Sequence, residues 1–361
     1  MLKRFSVEGY RGFKGKVSFD LSSPRDYRFN ASALQGGVIK DALVYGRNGV
    51  GKTNLCKALL DARRNVALDA MGQQAESTFL NADISRDAAS FSYLLDLGGH
   101  DVLYEYTKNA RGILRTERLE VDGETVYDVG ESGEWRTNNL GKFTSGSLVV
   151  EGRDLYLGLS ALSYVCTNTP QKLLGPILDL YRFLLSMRLN NTAATLGQDV
   201  RDILEADKVG ELQSFLHEYG IAETLEARPD ASGTKILYMR KHARPIPFAD
   251  VCSSGTRALV RLFVINRLRE ARPSLLVLDE FDAFYHHDLA EHVLRSMLDN
   301  PDMQVIATTH NTDLFSNRSL RPDCLFVLSE GGIVAAADAT TRELREGHNL
   351  ERLYKAGEFD V

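Results

Sequence analysis

Apolar residues along the chain form runs of two kinds. Short uninterrupted runs at 42–45, 275–278, 304–309 and 324–328 predict strands buried on both faces. Residues 52–69, 170–190, 199–226, 256–270 and 288–299 instead carry apolar residues at helical spacing. Strands alternating with helices predict an α/β layer on a largely parallel sheet. A different pattern holds near the N-terminus. Lys3–Val7 and Val17–Leu21 read as a β-hairpin around a Gly9–Gly15 turn. FSYLLDL, VLYEYTK and LRTERLEVD, within 91–129, alternate imperfectly between Gly98–Gly99, Gly112 and Gly123, which predicts an antiparallel meander. Residues 235–240 are strand-like, and no internal repeat or low-complexity tract is evident.

Composition narrows the class. Of 361 residues, 43% are hydrophobic and 25% charged, enough apolar content for a core of one large domain or two. The net charge of −6 argues against a general polycationic coat for nucleic acid. The stretch 199–230 holds nine acids and three bases, which alone equals that net charge. It reads as a solvated helical face, or as a surface that docks a partner. No apolar run is long enough to span a membrane, and the N-terminus lacks the apolar core of a secretory signal. Cys56, Cys166, Cys252 and Cys324 are scattered with no CxxC. That pattern fits buried thiols in a reducing cytoplasm better than a disulfide frame or zinc site.

Four motifs carry chemistry. Residues 46–53, GRNGVGKT, match G-x-x-x-x-G-K-[ST] between a predicted strand and a predicted helix. Glycines such as Gly49 and Gly51 let the backbone, with Asn48, curl its N–H groups around phosphate oxygens, and the helix start adds partial positive charge. Lys52 is expected to reach the β- and γ-phosphates of ATP, and Thr53 to offer its hydroxyl to Mg²⁺. Residues 275–280, LLVLDE, end an apolar strand in two acids. Asp279 is expected to hold Mg²⁺ and Glu280 to act on the attacking water. Alternation along a strand places the two acids on opposite faces. Residues 305–310, VIATTH, end a further strand in His310, where an imidazole can sense the γ-phosphate. His286 and His287 are read as starting the next helix. Finally, SSGT at 253–256 opens a helix at Ser254 and Gly255. A second phosphate-binding helix start makes sense if it caps a nucleotide held by another subunit.

Together, GRNGVGKT, SSGT, LLVLDE and TTH resemble the ATP-binding-cassette ATPases, in the branch that includes SMC proteins, RecF and the OLD-family ATPases. The opening LKRFSVEGYRGFKG resembles the N-terminal strands of that branch. HNTDLF and NLERLYKAGEF resemble bacterial ATPases of the AAA_15/AAA_21 type, many of which serve anti-phage systems such as Septu and retrons. The resemblance covers about 1–130 and 235–361. It implies an α/β ATPase head with a mixed sheet, a meander and a helical insertion, divided at 1–165, 166–232 and 233–361. It further implies a homodimer or higher oligomer that sandwiches ATP, with Ser254 and Gly255 on the partner's nucleotide, Glu280 as general base and His310 as switch histidine. SSGT in place of LSGGQ argues against a transporter subunit, and Gln73 and Gln74 are weak candidates for a Q-loop. The distance from Lys52 to Gly255 is too short for an SMC-type coiled coil. Most of the chain lies between Thr53 and Asp279, unlike a ring-forming motor. The OLD-family TOPRIM nuclease is not evident, and Glu330 in EGG reads as hairpin-turn chemistry. A nuclease or toxin activity is therefore expected on a separate effector chain. An ATP-dependent DNA-binding protein in repair or maintenance, like RecF, is the alternative, suggested by Lys3, Arg4, Arg11, Lys14 and Lys16 near the N-terminus.

Overall fold

The computed structural model describes residues 1–67, 78–83, 85–144, 158–169, 173, 175–191, 196–241, 244–268, 273–298, 300–318 and 320–359. In chain order, β1 (Leu2–Glu8) and β2 (Val17–Asp20) form the expected hairpin. A short pair, β3 (Leu34–Gln35) and β4 (Val38–Ile39), leads into β5 (Asp41–Tyr45), α1 (Lys52–Leu59) and α2 (Asp61–Val66). The meander is β6 (Ala88–Leu97), β7 (His100–Asn109), β8 (Leu114–Val121), β9 (Glu124–Val129) and β10 (Trp135–Asn138). Then come α3 (Ala161–Asn168), α4 (Gly175–Ser186), β11 (Arg188–Asn191), α5 (Leu196–Glu205) and α6 (Val209–Glu218). A small sheet of β12 (Thr224–Pro229), β13 (Lys235–Lys241) and β14 (Arg244–Pro247) precedes α7 (Phe248–Val251) and α8 (Ser254–Phe263). The chain continues through β15 (Leu275–Asp279), α9 (His287–Leu298), β16 (Gln304–Thr309), β17 (Leu325–Ser329), β18 (Gly332–Ala335) and α10 (Leu350–Lys355).

Two sheets organise these elements. One is parallel apart from its last strand, in the order β11-β15-β16-β5-β17-β18. Every residue of β5, β15 and β16 is buried, which is why these strands read as unbroken apolar runs. The other is antiparallel, in the order β10-β9-β8-β7-β6-β1-β2. Its strands alternate because one face is solvated, and the inner face carries Phe5, Tyr93, Tyr104, Tyr106 and Tyr127, all fully buried. Gln304 joins the two sheets. Its amide nitrogen donates to Leu2 O and Ile39 O, both at 2.9 Å, and its oxygen accepts from Leu2 N at 2.8 Å.

Four boundaries differ from expectation. The helix expected over 170–190 stops at Ser186, and Arg188 opens β11. The helix expected over 52–69 is two helices that meet at Leu60, and residues 68 and 69 lie outside the described region. Asp61, first in α2, is drawn inward to Lys108 Nζ at 2.6 Å and Tyr106 Oη at 2.9 Å, which ties the helix pair to β7. Residues 199–226 read as two helices, and the second of them stops at Glu218 rather than 226. There Gly220, at φ +80°, ends it in a left-handed turn, and Ile221 N closes back on Leu216 O at 3.0 Å. The helix expected to run to 270 gives way after Phe263 to a π-helical turn at Val264–Leu268.

A concentrated buried polar cluster forms at Glu117, on β8. Its carboxylate accepts from Tyr104 Oη (2.9 Å), Tyr127 Oη (3.1 Å) and Ser160 Oγ (2.8 Å), and from the first amides of α3, Ala161 N (2.6 Å) and Leu162 N (3.2 Å). A buried acid thus sits on the orphan amides of a helix start. Burial pushes its pKa up, against the pull of these hydrogen bonds. Glu117→Ala strands five donors in the core, and the expected cost is about 3–4 kcal/mol, read as a lower urea midpoint with unchanged slope.

Candidate phosphate-binding site

The strand β5 ends at Tyr45 and the chain enters the loop of residues 46–51. Gly49 (φ +84°) and Gly51 (φ +111°) occupy the left-handed region, so the loop curls before α1 begins at Lys52. A β-carbon at Gly46 would lie 2.8 Å from Val50 Cγ1 and 3.1 Å from Leu328 O. Arg47 and Asn48 are exposed at the rim. Lys52 is buried, and its Nζ donates to Gly46 O at 2.8 Å and Arg47 O at 3.1 Å. The ammonium is thereby folded over the loop it follows.

Asp279 closes β15 and faces α1. Its Oδ1 receives Thr53 Oγ1 at 3.3 Å, Thr308 Oγ1 at 3.2 Å and Cys56 Sγ at 3.6 Å. Burial pushes the Cys56 thiol up, and the carboxylate beside it adds to the effect. A single hydroxyl and carboxylate, side by side, suit a nucleotide-bound Mg²⁺, which takes few protein ligands and completes its shell with phosphate and water. Among the described residues no cluster of three or more His, Cys, Asp or Glu could hold a metal without such help.

Glu280 departs from the expected strand geometry. β15 ends at Asp279, and Glu280 adopts φ +46°, the left-handed region where a glutamate is strained. The two acids therefore diverge because the chain turns, not because a strand alternates. Thr308 holds the turn, accepting from Glu280 N at 2.9 Å through the same hydroxyl that donates to Asp279. The Glu280 carboxylate is 43% exposed and reaches within 3.8 Å of Lys52 Nζ.

His310 follows β16 and is exposed. Beside it lies Asp282, a buried acid that motif reading passed over although it stands three residues after Asp279 in DEFD. Burial pushes Asp282 up, while the Thr309 hydroxyl and His310 pull it down, and its Oδ1 has no hydrogen-bond partner among the described residues. Ser253, not Ser254, is the N-cap of α8, accepting from Thr256 N at 3.1 Å. Ser254 is exposed at the first helical position. A β-carbon at Gly255 would lie 2.9 Å from Phe284 O, so the helix start is packed on the loop that follows Glu280. Phe284 is 44% exposed on that loop.

Lys52, Thr53, Asp279 and Glu280 thus meet at the carboxyl edge of the parallel sheet, where ligands of such sheets bind. His310 directly follows the strand beside them, and Gly255, next to exposed Ser254, packs on the adjoining loop. Gln73 and Gln74 lie outside the described residues. Glu330 sits in the β17–β18 hairpin turn, as expected. All four cysteines are free and buried. No helix among the described residues is long and apolar enough to cross a membrane.

Known proteins provide an outside comparison. A family model described as AAA domain, putative AbiEii toxin, Type IV TA system (AAA_21) matches residues 174–316. No curated protein matches the chain. Among solved structures, an SMC head bound to the C-winged helix domain of ScpA is similar at TM-score 0.50 and 12% identity, covering 92% of this chain and 97% of that one. An SMC head domain from Thermotoga maritima has TM-score 0.44 and 16% identity, covering 92% and 98%. An SMC head with an extended coiled coil, bound to the C-terminal domain of ScpA from Pyrococcus furiosus, has TM-score 0.47 and 11% identity, covering 98% of each chain. The chain thus has an α/β fold resembling that of an SMC head, with a mostly parallel sheet beside an antiparallel meander.

Proposed function

We propose that this protein binds and hydrolyses ATP with Mg²⁺ and acts as a nucleotide-driven switch. The observation that carries this reading is the meeting of Lys52, Thr53, Asp279 and Glu280 at one sheet edge, with Lys52 Nζ 3.8 Å from Glu280 Oε1. Lys52, with the amides around Asn48, Gly49 and Gly51, holds the phosphates. Thr53 and Asp279 hold the Mg²⁺, which supplies charge neutralisation to the triphosphate. Glu280 takes the proton of the attacking water, and His310 senses the γ-phosphate from the next strand. Ser254 and Gly255 cap the nucleotide of a second copy, so ATP closes a homodimer and hydrolysis opens it. The exposure of Ser254 at a helix start, beside Gly255 packed against the loop that carries exposed Phe284, supports a face-to-face role.

The output is proposed to be control of a separate effector, a nuclease or toxin, in an anti-phage defence system. The AAA_21 match, with its toxin-system description, and the motif resemblance support that setting. Duplex-DNA maintenance has less support. Lys3 is paired with Asp101 at 2.7 Å, and Lys14 and Lys16 line the cleft over the phosphate loop, so the basic N-terminal residues are distributed among other roles.

Phosphate release from ATP tests the activity. Turnover is expected with Mg²⁺ and is expected to vanish in EDTA, returning when Mg²⁺ is restored. EDTA-insensitive release would remove Thr53 and Asp279 from their proposed role.

A further inference from the structure

The phosphate loop opens into a cleft of about 930 Å³, within the ~300–1,000 Å³ typical of small-molecule sites. One wall is the β1–β2 turn, with Phe13, Lys14 and Lys16. Phe13 is braced on the loop itself, its ring 3.3 Å from the place a β-carbon would take at Gly51. Another part of its lining comes from far along the chain: Glu330 in the β17–β18 turn, and Tyr354 on α10. A triphosphate seated at the start of α1 directs its reacting end toward Glu280. The nucleoside must then extend into the remainder of this cleft.

Tyr354 is suited to meet it. The ring packs edge-on against Tyr45, with centroids 4.4 Å apart and planes at 67°, and lies 5.6 Å from Phe315. Tyr45 is the residue before the phosphate loop, and Phe315 lies shortly after His310. Two segments of the site therefore brace the ring, which is only partly buried and borders the cleft. Glu330 is exposed and is the one acid among the cleft's described lining residues, where Lys14, Lys16 and Arg47 supply the cations. A carboxylate there repels phosphate and accepts from hydroxyls, which favours the sugar over the phosphates as its neighbour.

We propose that α10 and the β17–β18 turn form the nucleoside half of the site, with Tyr354 giving its ring to the base and Glu330 accepting a hydrogen bond from a sugar hydroxyl. The inference rests on the reading of the phosphate loop as a nucleoside triphosphate site. It makes α10 part of the site.

Calorimetry on the full chain with Mg²⁺ tests it, with ATP and inorganic tripolyphosphate as the two probes. Tyr354→Ala is expected to weaken ATP about tenfold, the size of one lost base–aromatic contact, and to leave tripolyphosphate binding unchanged. Tyr354→Phe is expected to keep wild-type affinity for both. Glu330→Gln is expected to weaken ATP severalfold and to have no effect on 2′,3′-dideoxy-ATP. If Tyr354→Ala weakens both probes equally, or neither, the inference is overturned while the phosphate loop keeps its role. If the wild-type chain binds neither probe, the phosphate-loop reading fails and takes this inference with it.

Discussion

Glu280→Gln binds ATP, fails to hydrolyse it, and accumulates as a dimer. The amide keeps the shape of a side chain held at φ +46° by the Thr308 hydroxyl, so the turn and the Lys52 contact region persist. What it loses is the capacity to accept a proton from water. General-base removal is expected to lower turnover by about 10²–10⁴-fold. Because the dimer opens only after hydrolysis on this account, the variant elutes as a dimer with ATP and Mg²⁺ and as a monomer without them. Light scattering behind a sizing column reads both states. A variant that remains monomeric at saturating ATP contradicts the coupling of nucleotide to assembly.

Lys52→Ala loses ATP binding altogether in practical terms. The ammonium is buried against Gly46 O and Arg47 O, poised over the loop, and no other buried cation shares that position among the described residues. Truncating one partner of a buried charge contact costs about 2–5 kcal/mol, roughly 30- to 5,000-fold in affinity. Thermal shift offers a second reading. Ligand at a hundred times its Kd adds about 2.7 kcal/mol to wild-type stability, and the variant gains less than about 1 kcal/mol at the same concentration. Equal stabilisation of both proteins by ATP would displace Lys52 from the site.

The parts of the fold legible from sequence are those whose burial is uniform. β5, β15 and β16 are enclosed on both faces, so their apolar runs announced them. β11 did not, because Arg188–Asn191 is a polar edge strand that pairs on one side only. β12 to β14 were visible only at 235–240, since Arg228, Pro229, Pro245 and Pro247 disguise the flanking strands. The long-range polar links were invisible for another reason. Gln304 reaches Leu2 across almost the whole chain, and no local pattern encodes such a partner.

Charge counted along the chain also misleads. In the acidic stretch, Asp199 is buried against Arg261, Glu218 faces Arg267, Glu226 faces Arg228 and Arg240, and Lys208 holds Glu211. Much of the apparent charge on that face is thus paired within the fold. At the site itself, the residue types were readable because phosphate and metal chemistry restrict them. The left-handed turn at Glu280 and the buried Asp282 were not readable, since both follow from how β15 meets β16. Tyr354 entered the cleft by tertiary packing against Tyr45, which the sequence places more than three hundred residues away.

The claim beneath the account is that each nucleotide is shared between two copies, one giving the phosphate loop and the other Ser254. Mixing two inactive variants, Lys52→Ala and Ser254→Arg, tests it most directly. In a shared-site dimer the mixed pair contains one wholly intact site, made from the sound loop of one copy and the sound helix start of the other. ATPase activity should reappear on mixing, up to about a quarter of wild type if copies exchange freely. A mixture that stays inactive at every ratio, while both variants fold, would contradict a site built from two chains.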